Sequence, residues 1–155
     1  MKKPSVNSLK STALRLLATR EHSRAELKRK LESRAEEGDD VEAVLDRMVE
    51  TGLQSDERFT ESYVRSRATR LGSSRLQYEL SKRGVTEEVA GTALSDVLIE
   101  DELTRARGVW LKKFGQPPGD RQEWARQARF LQSRGFSAEI ICKLLRDGFD
   151  EPAEG

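Results

Sequence analysis

The side chains best suited to do chemistry in this chain are arginines, and they come in two groups. Arg65, Arg67, Arg70, Arg75, Lys82 and Arg83 fall in the stretch from Arg58 to Arg83, where the acids are Glu61 and Glu79. Arg126, Arg129 and Arg134 form the counterpart in the last third of the sequence. A guanidinium group is planar, keeps its charge and presents a fork of N–H donors, so it grips phosphate or carboxylate through paired hydrogen bonds. The chemistry implied is the binding of an anion, either nucleic acid backbone or an acidic protein face. Any single arginine could equally belong to a solvated face that pairs with an acid one turn away.

Other chemistry has little to work with. The only histidine, His22, sits between Glu21 and Ser23 at a helix junction, where a turn or capping role is expected. One histidine and one cysteine cannot assemble a four-ligand zinc site of the usual nitrogen and sulfur type, so no metal is expected. Cys142 lies in the apolar run Ile140-Ile141-Cys142-Lys143-Leu144-Leu145 and is expected to be a small buried hydrophobe. The chain lacks a Gly-Lys-Ser or Gly-Lys-Thr phosphate loop, a Gly-x-Gly-x-x-Gly fingerprint and a Gly-x-Ser-x-Gly elbow. No catalytic residue and no cofactor are expected, and the chain reads as a binding protein, not an enzyme.

Charge is balanced in total but not in position. The formal net charge is +1, yet residues 1–35 carry +7, 36–57 carry −8, 58–83 carry +5, 84–104 carry −6, 105–134 carry +6 and 135–155 carry −3. The acidic blocks argue against indiscriminate coating of free DNA, because they repel phosphate.

The elements that position these charges are helices. Leu9, Ala13, Leu16 and Leu17 share one helical face, and Ala25, Leu27 and Leu31 share the next. Ser23 and Glu26 have the spacing of a capping box at the start of that second helix. Val41, Val44, Leu45, Met48 and Val49 give a third helix ending at Gly52, a residue suited to a left-handed cap. The pattern recurs. Ser55-Asp56 caps a helix through Phe59, Tyr63, Val64, Ala68 and Leu71; Leu76 and Leu80 follow; Thr86 caps a helix with Val89, Ala90, Ala93 and Leu94. It recurs again with Ile99, Leu103, Ala106, Trp110 and Phe114, a break at Pro117-Pro118, a helix to Ser133, and Ile140, Ile141, Leu144 and Leu145 after the cap Ser137. Arg83-Gly84-Val85 and Arg134-Gly135-Phe136 are 51 residues apart. Phe59, Tyr63, Trp110, Phe114, Phe130 and Phe136 fall on the apolar faces and are expected in cores, whereas Trp124 defines no clear face.

A repeat of about 50 residues predicts an all-α, elongated stack of three tandem three-helix repeats, at 9–53, 54–96 and 97–150, with polar flexible tails at 1–8 and 151–155. The first two helices of each repeat are basic and the third acidic, so such a stack has a basic and an acidic side. At 155 residues with 35% hydrophobic and 35% charged residues, the chain is lean in apolar area for one thick core. It has no apolar run long enough to span a bilayer and no secretory leader, and its single cysteine suits a reducing compartment, so a cytoplasmic location is expected.

Asp56, Phe59, Tyr63, Arg67, Gly72, Leu76, Leu80, Gly84 and Val85 resemble the central signature of the RecX family, regulators of the bacterial recombinase RecA. Ala13-Leu14-Arg15-Leu16-Leu17, His22 to Leu27 and Leu31 add to it in the first repeat. Arg129-Phe130-Leu131, Arg134-Gly135-Phe136 and Ile140 add to it in the third. The similarity covers about residues 9 to 147. Gln122 and Gln127, in a polar setting, and Gly108, inside a helix, depart from the pattern. The resemblance implies a curved, mostly monomeric protein lodged in the groove of the RecA filament on single-stranded DNA; a weak direct contact with DNA is a further partner interaction that the residues leave open. There it would bridge protomers and suppress strand exchange and ATP turnover. Phe59, Tyr63, Leu76, Leu80 and Gly84 would define the fold, and the arginines named above would make contact. The alternative is a helical, sequence-selective DNA-binding regulator, since three-helix modules can present a recognition helix to the major groove.

Overall fold

Polar caps and apolar stripes set where each helix starts and what it buries. The computed structural model describes residues 6–97 and 101–149; residues 1–5 of the expected N-terminal tail, the whole expected C-terminal tail at 151–155 and the core candidate Ile99 lie outside the described residues. Among the described residues there are nine α-helices and no strand: α1 (Val6–Thr19), α2 (Arg24–Glu32), α3 (Val41–Glu50), α4 (Asp56–Arg67), α5 (Ser73–Lys82), α6 (Glu87–Val97), α7 (Glu102–Lys113), α8 (Arg121–Ser133) and α9 (Ala138–Phe149). They form three sets of three in tandem. The capping box is present: the Ser23 hydroxyl accepts from the Glu26 N–H at 3.1 Å, and Glu26 Oε1 accepts from the Ser23 N–H at 3.2 Å. Ser55, Thr86 and Ser137 cap α4, α6 and α9 through their hydroxyls at 3.1, 3.2 and 3.2 Å. Each cap satisfies a backbone donor that the first helical turn leaves without a partner.

The chain divides into two compact units, and the division does not follow the repeats. One unit holds the residues up to Tyr63 together with Leu80–Ala93; the other holds Val64–Glu79 with the residues from Leu94 onward. Helices α4, α5 and α6 therefore each give one part to one unit and one part to the other. In the first unit α1, α2 and α3 pack on one another around Leu9, Ala13, Leu27, Leu31, Val44, Leu45 and Met48. In the second, α7, α8 and α9 enclose Ala106, Val109, Trp110, Leu131, Phe136, Ile141, Leu144 and Leu145, with Trp124 half-buried against them. Burying a Leu, Ile or Phe side chain stabilises by roughly 1.5–3 kcal/mol, so these clusters supply the main favourable term that holds their helices together.

Two expected core residues are corrected. Val49 is 45% exposed, at the edge of the α3 stripe, and Cys142 is an exposed free thiol. Cys142 lies off the face on which Ile141, Leu144 and Leu145 point inward, so helical spacing outweighs the apolar character of its neighbours.

Candidate functional site

The arginines are placed by two turns of one design. Gly84 and Gly135 both adopt the left-handed conformation, at φ 83° and 94°, and each closes the helix before it. Each turn also lies directly on the start of an earlier helix. A Cβ on Gly84 would overlap the Cβ of Ala25, and one on Gly135 would overlap the Cβ and backbone N of Arg75. Only glycine meets both demands. The preceding carbonyl is bonded in both cases: the Ser23 hydroxyl donates to Arg83 O at 2.7 Å, and the Gly72 N–H donates to Arg134 O at 2.7 Å. Ser23 and Gly72 stand at matching positions, four residues ahead of the buried Leu27 and Leu76.

The side chains at the two turns differ. At the first, Glu26 lies 3.3 Å from Arg20 and 3.6 Å from Arg83, and the Arg83 guanidinium stacks 4.7 Å above the buried ring of Tyr63. Arg83 is thus held by its own fold. At the second, Arg75 takes the place of Glu26. Its Nε donates to Glu79 at 2.8 Å, and its guanidinium lies 5.7 Å from the centre of the Tyr78 ring. Arg134 stacks 4.7 Å above Phe130 and makes no ion pair with any described residue.

The remaining candidates are spread more widely. Arg65, Arg70, Lys82 and Arg129 are exposed; Arg67 is half-buried and donates to the Ser66 hydroxyl at 2.9 Å. Arg126 is exposed, pairs with Glu123 and stacks 5.1 Å from the Phe114 ring. Arg65, Arg67, Arg70, Arg75, Arg126, Arg129 and Arg134 all belong to the second unit, and Lys82 and Arg83 to the first. The structure brings Arg75 and the Arg134 turn together directly.

Three residues that matter to this geometry escaped the sequence reading of the site. Arg105 is 7% exposed and donates to Ala68 O at 3.2 Å and to Leu71 O. It thereby satisfies carbonyls at the end of α4 and places a positive charge where the helix dipole favours one. Gln127, 2% exposed, accepts the Trp110 indole N–H at 2.7 Å and donates to Gln116 O at 3.1 Å, which explains the polar residue in an otherwise apolar setting. Tyr78 is 54% exposed, whereas Phe59, Tyr63, Trp110, Phe114, Trp124, Phe130 and Phe136 are buried or half-buried. His22 has the expected turn role but is buried, with Nδ1 3.1 Å from Arg20 O and Nε2 3.0 Å from Lys30 Nζ. The ammonium must donate, so Nε2 is the acceptor and Nδ1 carries the proton. Burial, then the charges of Arg20 and Lys30, lower its pKa below the ordinary 6.5. Among the described residues no group of three or more His, Cys, Asp or Glu could hold a metal ion.

Family models for the first, second and third three-helix domains of RecX match residues 10–48, 55–94 and 100–145. The chain belongs to the RecX family. It is 48% identical to the regulatory protein RecX of Leptothrix cholodnii, covering 90% of this chain and 88% of that one. It is 44% identical to that of Ralstonia nicotianae, covering 94% of each. Among solved structures, RecX from Lactobacillus salivarius superposes with a TM-score of 0.75 at 20% identity over 92% of this chain and 95% of that chain, which shows the shared fold. These RecX relatives are named regulatory proteins, not enzymes. No described helix is long and apolar enough to cross a membrane.

Proposed function

We propose that this chain is a non-enzymatic modulator, mainly an inhibitor, of RecA recombinase activity. It binds as a cytoplasmic monomer in the groove of the RecA filament on single-stranded DNA, bridges protomers, and suppresses ATP hydrolysis and strand exchange. The observation that carries this reading is kinship with regulatory proteins RecX across nearly the whole chain and all three of its helical domains. The physical support is the exposed and half-buried arginines of the second unit, whose forked donors suit phosphate oxygens and carboxylates. Arg65, Arg67, Arg70, Arg75 and Arg134 are the contacts of choice; Arg83, held by Glu26 and Tyr63, serves the fold first.

The test is to titrate the purified chain into RecA hydrolysing ATP on single-stranded DNA and carrying out strand exchange. Wild type should inhibit both, and a variant with Arg67, Arg70 and Arg75 changed to Ala should inhibit less at equal concentration. Equal inhibition by the variant would reject the proposed face. Indifference of RecA to the wild type, together with tight sequence-selective binding to duplex DNA, would replace this function by that of a DNA-binding regulator.

A further inference from the structure

The two glycine turns share a backbone geometry, which makes the exchange of Glu26 for Arg75 informative. The first turn supplies an acid to its own arginine. The second supplies another arginine, and Arg134 is left without an ion-pair partner among the described residues. Arg75 gives one N–H, from Nε, to Glu79, and a guanidinium carries five, so that pair does not exhaust it. The second turn thus carries an arginine where the first carries an acid, and Arg134, with no ion pair among the described residues, keeps donors for an anion.

The neighbouring ring indicates which kind. Tyr78 lies one helical turn beyond Arg75 on α5, is 54% exposed, and has the Arg75 guanidinium 5.7 Å from its ring centre. Phe59, Tyr63, Trp110, Phe114, Trp124, Phe130 and Phe136 are each buried or half-buried. An acidic protein face needs no exposed aromatic ring, whereas a nucleotide brings a phosphate and a flat base together. In a duplex the base faces are covered by their neighbours; in a single strand an unstacked base can lie on an aromatic ring.

We propose that Arg75, Arg134 and Tyr78 form a contact site for single-stranded nucleic acid, the arginines binding a backbone phosphate and the Tyr78 ring stacking on a base. The contact is tolerant of sequence, because every base has a face to offer. It does not depend on the filament reading, and it can be examined with no RecA present.

The experiment is fluorescence anisotropy of a labelled oligothymidylate with the full chain, over a range of salt, with an unlabelled duplex of equal length as competitor. Wild type should bind the single strand, more weakly as salt rises. Tyr78→Ala should weaken binding by roughly five- to a hundredfold, and Tyr78→Phe should retain most of it. Arg75→Ala and Arg134→Ala should each weaken binding and lower the slope of log affinity against log salt by about 0.7, the loss of one phosphate contact. Arg15→Ala, which removes an exposed charge from α1, should change neither the affinity at fixed low salt nor the salt slope measurably. Absence of binding by the wild type would overturn the site. So would full affinity in Tyr78→Ala, or a duplex that competes as well as the single strand.

Discussion

The turn at Arg83-Gly84 and the turn at Arg134-Gly135 are built alike and used differently. Both glycines are left-handed, both lie on the start of an earlier helix, and both follow a carbonyl that is bonded across to it. At the first, Glu26, Arg20, Arg83 and Tyr63 interlock, so the polar groups serve cohesion. At the second, the backbone and the buried Arg105 provide the bonds, Arg75 pairs with Glu79 on its own helix, and Arg134 stacks on Phe130 without an ion pair among the described residues. A repeated fold can thus keep its joints and vary their chemistry: one joint carries an acid beside its arginine, the other an arginine in that position.

The largest effects should come from filling the turns. Gly84→Ala and Gly135→Ala each impose a left-handed residue with a side chain, costing about 1–2 kcal/mol, and a steric overlap worth about 1–3 kcal/mol more. Gly135→Ala should be the worse, since it meets the backbone of Arg75, and Ala25→Gly should restore part of the loss in Gly84→Ala. Urea denaturation midpoints measure both. A Gly84→Ala midpoint that Ala25→Gly leaves unmoved would break the claim that Ala25 sets the limit there.

Next in size is the buried amide of the second unit. Gln127→Ala leaves the Trp110 indole N–H without its acceptor and opens a void, a loss of about 2–3 kcal/mol. Because both tryptophans, Trp110 and Trp124, belong to that unit, intrinsic fluorescence follows the change directly. An unchanged spectrum and midpoint would remove Gln127 from the core.

A smaller effect distinguishes the units by pH. The only histidine lies in the first unit, buried and neutral, with Lys30, Arg20, Glu26 and the neighbouring Gln54 around it. Its folded pKa is lowered, so below about 6.5, the unfolded value, the unfolded chain binds the proton that the folded chain refuses. Stability should therefore be unaffected by His22 above that pH and fall below it, with a slope of up to about 1.4 kcal/mol per pH unit. His22→Gln should flatten the curve between pH of about 7 and about 5.5; an identical slope in both proteins would show that His22 titrates freely in the fold.

Smallest for stability is the surface. Changing Arg67, Arg70 and Arg75 to Ala should cost within about 0.5 kcal/mol each, and the same variant should lose partner binding. A large drop in the denaturation midpoint would mean that these arginines hold the second unit together.

Much of this was legible in the sequence because it follows from spacing. Apolar stripes of helical period, the Ser23–Glu26 box and the two glycines at a 51-residue offset mark the helices, several of their starts and the recurrence of the unit. What was not legible depends on where distant parts of the chain meet. Nothing local marks Arg105 as the partner of the Ala68 and Leu71 carbonyls, or Gln127 as the acceptor for Trp110. Cys142 and Val49 were misjudged by residue type where position on the helix decided the matter. Of the candidate arginines, the pattern gave the set, but the Glu26 contact that occupies Arg83 and the packing of Gly135 on Arg75 appear in three dimensions alone.

The most direct measurement is cosedimentation of the purified chain with preformed RecA filaments on single-stranded DNA, with bare single-stranded and duplex DNA run in parallel. If the chain is a RecA modulator, it should pellet with filaments at concentrations where the bare DNAs retain far less, and ATP hydrolysis should fall as it binds. Equal recovery on filaments and on bare DNA, with hydrolysis unchanged, would contradict that function.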